Sequence, residues 1–317
     1  MGYTLPLELA STSTVAVRAS GSPAENGAVL RAAYAQARAL TPNGAALAAD
    51  NRATVLVGPG VYHLGTLDGD THGLQIDTEF VDLVGLTGRP EHVRIEATSD
   101  GSTASRGTIE QTADDVLIAG VTMYLDGGDY SQGYEEGDPS AYFPGDNLPN
   151  TVLRDCVFEA DNDARYTRPE QEYSGTYIRC IGGAGTFAVG AQASGTFTDC
   201  VVAEETFGYY ADASGVFTRC VAGWYAFGWY ADASGTFIDC TSTNWYVFGW
   251  TASGTFIRCT AADSAFGAEG GLTGKLYSCR LTSPGATFPT PEADSGGLLR
   301  LCIDGDDNED NTGPITS

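Results

Sequence analysis

The sequence predicts an all-β parallel solenoid on three observations: cysteines at a near-constant interval, a seven-residue block repeating around them, and 41 glycines punctuating short apolar runs. The cysteines fall at Cys156, Cys180, Cys200, Cys220, Cys240, Cys259, Cys279 and Cys302, separated by 24, 20, 20, 20, 19, 20 and 23 residues, with no CxxC pair. Aligned on them the chain reads SGTYIRC (Ser174–Cys180), SGTFTDC (Ser194–Cys200), SGVFTRC (Ser214–Cys220), SGTFIDC (Ser234–Cys240), SGTFIRC (Ser253–Cys259) and a looser TGKLYSC (Thr273–Cys279). A second apolar run in each unit is marked by Phe187, Phe207, Phe227, Phe248 and Phe266. Two or three β-runs per twenty-odd residues, with Ser-Gly turns and no helical period, describe one rung of a coil. A propeller blade needs about 40 residues and four strands, twice what is available.

Stacked rungs sit roughly 4.8 Å apart, so equivalent positions must form columns. Tyr177, Phe197, Phe217, Phe237 and Phe256 make one column and the cysteines another. The thiols read as small buried hydrophobes under a corner. The backbone spacing permits disulfides between rungs, but nothing in the sequence favours pairing, and a reduced ladder is expected. One residue before each cysteine stand Asp155, Arg179, Asp199, Arg219, Asp239 and Arg258, opposite in sign at every step. In one outward column each charge lies between two opposite ones, which fixes register.

Less regular rungs precede Cys156: Ala53–Leu64, Leu74–Leu86, Asp115–Met123 and Thr151–Phe158. The expected organisation is an N-terminal strand and capping helix over residues 1–50, a coil over 51–303 with insertions at 126–150 and 159–174, and an acidic C-terminal tail, 304–317. Length alone, at about 150 residues per domain, would suggest two domains; the repeat suggests one continuous solenoid. Ala24–Leu40 has apolar residues at helical spacing and suits a cap, because an open coil end exposes unpaired backbone and apolar core.

A short helix, an extended run ending in Val57-Gly-Pro-Gly-Val-Tyr62, and rungs reading LQID and VDLVGLTG resemble the N-terminal lead-in of the right-handed parallel β-helix superfamily that contains pectate lyases, polygalacturonases and phage tailspikes. The resemblance spans roughly residues 24 to 302. It implies the right-handed coil and a carbohydrate-facing disposition, closest in character to tailspike, fibre or virion-surface members. The polygalacturonase-like combination of Asn-Thr-Asp, Asp-Asp, Gly-His-Gly and Arg-Ile-Lys is absent: Asp-Asp occurs at Asp114-Asp115 and Asp306-Asp307 but without the other three, and His72-Gly73 does not replace them. The regular rungs carry carboxylates without the arginine or lysine base of calcium-dependent lyases. Fold and activity are separable, so no catalytic residue carries over.

Charge narrows the function classes. Forty-one Asp and Glu face 16 Lys and Arg, of which only Lys275 is lysine, for a net charge of −25. A basic face for nucleic acid cannot be assembled from this set. No stretch reaches the 18 or more apolar residues of a membrane span, and residues 1–10 lack a basic segment with a long apolar core, so neither insertion nor an export signal is expected.

Three groups of residues are candidates for chemistry. Asp212 and Asp232 occupy equivalent places in YADASG, and one rung of separation matches the roughly 5 Å of a retaining glycosidase pair; any two stacked carboxylates in a solenoid acquire that match, and a solvated or cation-sharing turn column is the alternative. All four tryptophans, Trp224, Trp229, Trp245 and Trp250, lie within two rungs, beside Tyr209, Tyr210, Tyr225, Tyr230 and Tyr246. In a regular strand one member of each of Trp224-Tyr225, Trp229-Tyr230 and Trp245-Tyr246 points outward. That leaves three readings: core packing, a protein interface, or a glycan-binding patch. Acidic loops containing Asp126, Asp129, Asp161 and Asp163 offer the oxygen ligands calcium requires; His63, His72 and His92 suggest no metal site.

The combined expectation is a non-enzymatic structural or adhesive β-helix. It would be a fibre, spike or decoration component on a virion surface, made in the host cytoplasm, contacting other subunits and surface polysaccharide, and able to self-associate. The alternative is a polysaccharide lyase or glycoside hydrolase acting on an acidic polysaccharide.

Overall fold

Parallel pairing dominates the molecule, because each short apolar run finds its partner one rung away and not in the next run of the sequence. The computed structural model describes residues 13–67, 72–99, 107–127, 140–145, 147–160, 165–167, 172–183, 186–187, 192–203, 206–208, 210–228, 230–242, 247–262, 265–267, 271–289, 297–304, 306 and 309–310. The fold is a right-handed parallel β-helix with rungs of about 20 residues and one N-terminal helix. It comprises two compact units, residues 1–168 and 169–317.

The first unit has three parallel sheets. One contains Thr14–Val17, Ala53–Val57, Val81–Gly85, Leu117–Ala119 and Val152–Arg154; a second contains Gly60–Leu67, Val93–Ser99, Thr122–Asp126 and Val157–Ala160. The third contains Leu74–Ile76, Gly107–Gln111, Ser140–Pro144 and Arg165–Thr167. Two of its strands lie in stretches read as insertions: Ser140–Pro144 pairs with Gly107–Gln111 on one side and with Arg165–Thr167 on the other. Alternation decides which residues enter the core. In Val93–Ser99, Val93, Ile95 and Ala97 are buried while Arg94, Glu96 and Thr98 face out.

The helix, Pro23–Ala37, starts at a capping box in which Ser22 and Glu25 satisfy each other's backbone and side-chain groups. It closes the edge strand Gly60–Leu67. Asn26 Nδ2 donates to Val61 O at 3.0 Å, and Arg31 Nη1 donates to Leu64 O at 2.6 Å and Gly73 O at 3.0 Å. Tyr34 Oη accepts from Asp77 N at 3.0 Å. These side chains pair edge groups that would otherwise be orphaned. Close approach requires glycine at position 27, where a Cβ would lie 2.0 Å from His63 O. Tyr62, from the Pro-Gly-Val-Tyr lead-in, is fully buried and donates to Gly58 O at 2.7 Å; burial pushes its hydroxyl pKa up to about 12.

The second unit has two long parallel sheets and a third side made largely of turns. Thr176–Ile178, Thr196–Thr198, Val216–Thr218, Thr236–Ile238, Thr255–Ile257, Lys275–Tyr277 and Leu298–Arg300 form one sheet. Ile181–Gly182, Val201–Val202, Val221–Ala222, Thr241–Ser242, Thr260–Ala261, Arg280–Leu281 and Cys302–Ile303 form the other. Its last strand is covered by Glu309–Asp310, which pairs with it antiparallel, so the start of the acidic tail is part of the sheet. Gly215 shows why Ser-Gly recurs between rungs: a Cβ there would sit 2.1 Å from Gly195 O.

The corner between the two sheets is not built by glycine. Arg179, Asp199, Arg219, Asp239 and Arg258 take φ of 51° to 56°, the left-handed region. Their amides continue the ladder, for example Arg219 N to Ile238 O and Asp239 N to Ile257 O, at 2.8 and 2.9 Å. The alternating charges pair two by two: Arg219 chelates Asp199 at 2.6 and 2.7 Å, and Arg258 chelates Asp239 at 2.7 and 2.7 Å.

The cysteines behind this corner are buried, and none is in a disulfide. The thiols donate weakly to carbonyls one rung back, as from Cys220 Sγ to Phe197 O at 3.4 Å, and burial pushes the Cys259 thiol up. Beside them Tyr177, Phe197, Phe217, Phe237 and Phe256 stack at 4.7 to 4.9 Å between centroids, tilted by only 4° to 8°. Phe187, Phe207, Phe227, Phe248 and Phe266 form a parallel column, and the columns meet edge to face, as between Phe217 and Phe227 at 5.3 Å and 82°. The second column was read as β-runs but lies mostly in turns. Phe187, Phe207 and Phe227 have φ of 51° to 60°, and the glycines after Phe207 and Phe227 have φ of 91° and 83°.

Two predictions follow from this packing. Phe217→Ala removes a ring flanked on three sides and is expected to lower stability by about 3–5 kcal/mol, read as a reduced denaturant midpoint. Hydrogen bonds from Arg219 and Arg258 hold the Asp199 and Asp239 carboxyls below their ordinary value of 3.8. Their contribution is therefore complete above about pH 4 and lost as pH falls through the depressed values. The advantage of the native chain over the Asp199→Asn/Asp239→Asn variant, measured by thermal melts across pH, should vanish in acid.

Candidate functional site

The site with the most unusual construction is the outer corner that follows the Phe-Gly turns of the second unit. After Gly208 and Gly228 the chain turns outward through Tyr210 and Tyr230, at φ of 64° and 63°. The turns close by Ala211 N to Gly208 O and Ala231 N to Gly228 O, each 2.8 Å. The two phenol rings stack at 5.0 Å and 7°, and Trp250 continues the column at 5.4 Å from Tyr230 and 23°. Tyr210 is 55% exposed and Tyr230 50%; Trp250 is half-buried. Tyr230 has a ring on each side, Tyr210 and Trp250, so its solvent-facing part is mainly its edge.

Trp250 reaches this column because its rung is shortened. Seven positions separate Phe227 from Ser234, but five separate Phe248 from Ser253, and Trp250 N bonds to Ala231 O at 3.0 Å. Trp224, 49% exposed, stands apart on another turn, edge-on to Tyr225 at 6.2 Å. Trp224-Tyr225, Tyr210 and Tyr230 all lie in turns, with Tyr225 at φ 55°. Strand alternation therefore does not set their direction; left-handed backbone does. Tyr209, Trp229, Trp245 and Tyr246 lie outside the described residues.

The conformation opposes the rings it displays. A left-handed bulky residue costs about 1–2 kcal/mol, whereas each ring pair contributes about 0.5–1.5 kcal/mol beyond burial. For the buried Phe207 and Phe227 the core supplies the difference. Tyr210 and Tyr230, about half exposed, recover less of that cost by burial, and strain of this kind concentrates where a side chain has another use.

The carboxylates beneath this corner are engaged. Asp212 Oδ1 accepts from Asp232 N at 3.2 Å; Asp232 accepts from Ser253 N at 3.2 Å and Ser253 Oγ at 2.5 Å. Glu172 accepts from Ser194 Oγ at 2.5 Å in the same way three rungs before Asp232. Asp212 and Asp232 thus each bond from one rung to the next, which gives the stacked pair a structural part in the turn column.

A second constellation, unmarked by any contiguous motif, lies on the outer face of the first unit. Arg94 Cζ sits 3.6 Å from the centroid of Tyr124, with Nε 2.8 Å from Glu96 and Nη1 3.0 Å from Glu159. These residues come from three neighbouring strands, with Glu96, Tyr124 and Glu159 in register. The signal was the outward alternation of Val93–Ser99, legible only once its partners were known. Of the calcium candidates, Asp126 is exposed at the end of its strand; Asp129, Asp161 and Asp163 lie outside the described residues. Among the described residues no three or more His, Cys, Asp or Glu gather as a metal site, and no helix is long and apolar enough to cross a membrane.

No family model matches the chain, and no curated protein or solved structure matches it either.

The strain argument is directly testable. Tyr210→Gly and Tyr230→Gly should leave stability within about 1 kcal/mol of the native chain or raise it, whereas Phe227→Gly should be severely destabilised; thermal melts of the three variants decide.

Proposed function

We propose that this protein is a non-enzymatic adhesive β-helix, of the kind that builds fibres and spikes on particle surfaces, and that the Tyr210–Tyr230–Trp250 ladder is where it grips an extended saccharide. The observation that carries this reading is the exposed, strained, in-register aromatic column. It supplies one ring per rung at a spacing close to one sugar unit of an extended chain, so successive rungs meet successive residues. A net charge of −25 repels polyanions at long range, which favours a neutral glycan. The superfamily resemblance of the lead-in agrees with a carbohydrate-facing coil, and assembly with other subunits or further copies would supply the multivalency weak sugar contacts need.

Binding to a panel of neutral and acidic glycans, followed by titration of the best, tests the reading. Tyr210→Ala/Tyr230→Ala is expected to weaken binding by about tenfold or more, from about 0.5–1.5 kcal/mol per ring contact; unchanged affinity would count against it. The enzyme reading draws on the arginine and two glutamates gathered at Tyr124, but there the cation is stacked and doubly paired and is no free base. Release of reducing ends or unsaturated uronates from polysaccharide, lost in Arg94→Ala or Asp232→Asn, would establish that reading instead.

A further inference from the structure

The first sheet of the second unit presents a surface that the aromatic ladder does not use. Its outward positions over five successive rungs are Thr176 and Ile178, Thr196 and Thr198, Val216 and Thr218, Thr236 and Ile238, Thr255 and Ile257. All ten are β-branched and none is charged, in a chain with a net charge of −25. Along a column the side chains repeat at the rung spacing, about 4.8 Å; across the strand, two residues apart, they repeat at about 6.7 Å.

The array is regular. Tyr177, Phe197, Phe217, Phe237 and Phe256 each sit between the two outward residues of one strand, and the five strands pair residue for residue with no shift of register. Successive rings directly behind the face lie 4.7 to 4.9 Å apart, no farther than neighbouring strands themselves. The columns therefore drift little from rung to rung, and the ten side chains repeat in two directions. Val216 is 42% exposed and Thr196 is exposed, with the others half-buried by their neighbours. Among the described residues, the hydroxyls of Thr176, Thr196, Thr198, Thr218, Thr236 and Thr255 make no hydrogen bond within the protein. The charged corner beside the face does not interrupt it, because Arg219 and Arg258 are held along the column by Asp199 and Asp239.

We propose that this face binds ice. A regular array of methyls and unengaged hydroxyls suits a lattice partner, and crystalline water is the one whose chemistry matches both groups. The hydroxyls replace water molecules in the first layer and the methyls sit over its openings, while the rung spacing lies close to the short repeat of hexagonal ice. Each contact is weak, but the ten are ordered before binding, so their contributions add without further conformational cost. A crystalline polysaccharide is the less suitable occupant, since these five rungs offer no ring for stacking on sugars; Tyr277 stands on the next rung beside Lys275, and the exposed tyrosines and Trp250 lie on a different corner.

The full chain should shape ice crystals into facets and depress their growth temperature below the melting point in a nanolitre osmometer. Thr198→Lys/Thr218→Lys, checked for native circular dichroism, should abolish both effects, and Tyr210→Ala/Tyr230→Ala should retain them. Should the lysine pair fail to fold, adsorption of fluorescently labelled native chain to a single ice crystal gives the same decision. Round crystals without hysteresis, lysine variants as active as the native chain, or labelled protein excluded from ice would each overturn the proposal. Co-sedimentation of the native chain with crystalline cellulose or chitin, lost in the lysine pair and without ice activity, would reassign the face to polysaccharide.

Discussion

Rung-to-rung hydrogen bonding at one fixed spacing is the constraint on which the second unit depends. Strands of two or three residues have no independent stability, and each exists because the backbone before and after it offers partners in register. The bonding does not stop where strands stop. It passes through the charged corner by Arg219 N and Asp239 N, and past the Phe-Gly turns, where Gly228 N meets Phe207 O at 3.1 Å. Once the spacing is imposed on the backbone, each side-chain type inherits it. Rings stack, thiols line up and opposite charges pair, because a column of identical or complementary groups is the only arrangement the ladder permits.

That inheritance explains why the interior is aromatic and nearly invariant. Two columns of rings meeting edge to face fill the narrow space between sheets, and a ring missing from one rung would leave a gap no neighbour can enter. It also explains the left-handed residues. Sharp corners in a short rung require positive φ, and the chain accepts this at aspartate, arginine, phenylalanine and tyrosine because the ladder and the core hold them there. Where burial gives less back, at the half-exposed Tyr210 and Tyr230, the strained conformation supports the proposed use outside the fold. The same translational regularity turns outer positions into surfaces: an aromatic ridge on one corner and an in-register β-branched array on one sheet.

Much of this was legible before any coordinates. The cysteine interval measured the rung, SGTFxxC located the inward ring and the outward pair, and the helix was visible from its spacing. The candidate site was legible only as composition. Crowding of Trp and Tyr between 209 and 250 marked the region, but the residue facing out was set by backbone angles, and alternation applied to Trp224-Tyr225 rested on a strand that is a turn. Trp250 joins Tyr230 only because its rung is two residues shorter after Phe248, a difference hidden within a cysteine interval of 19. Likewise Ser140–Pro144 and Arg165–Thr167 looked like insertions because their apolar pattern is short and interrupted, yet they are strands paired over a long sequence separation.

Local pattern determined the fold class, the rung length, the inward columns and the alternating corner charges, because each is a repeat of short-range alternation and repeats are written directly in the chain. Tertiary structure decided what those columns became. It bonded Asp212 and Asp232 to the following rungs, gathered Arg94, Glu96, Tyr124 and Glu159 from three strands, and set the threonine face in register. The physical reason is register: which rung a residue stacks on, and with what rotation, is fixed by hydrogen bonds between segments twenty or more residues apart, and no single segment carries that information.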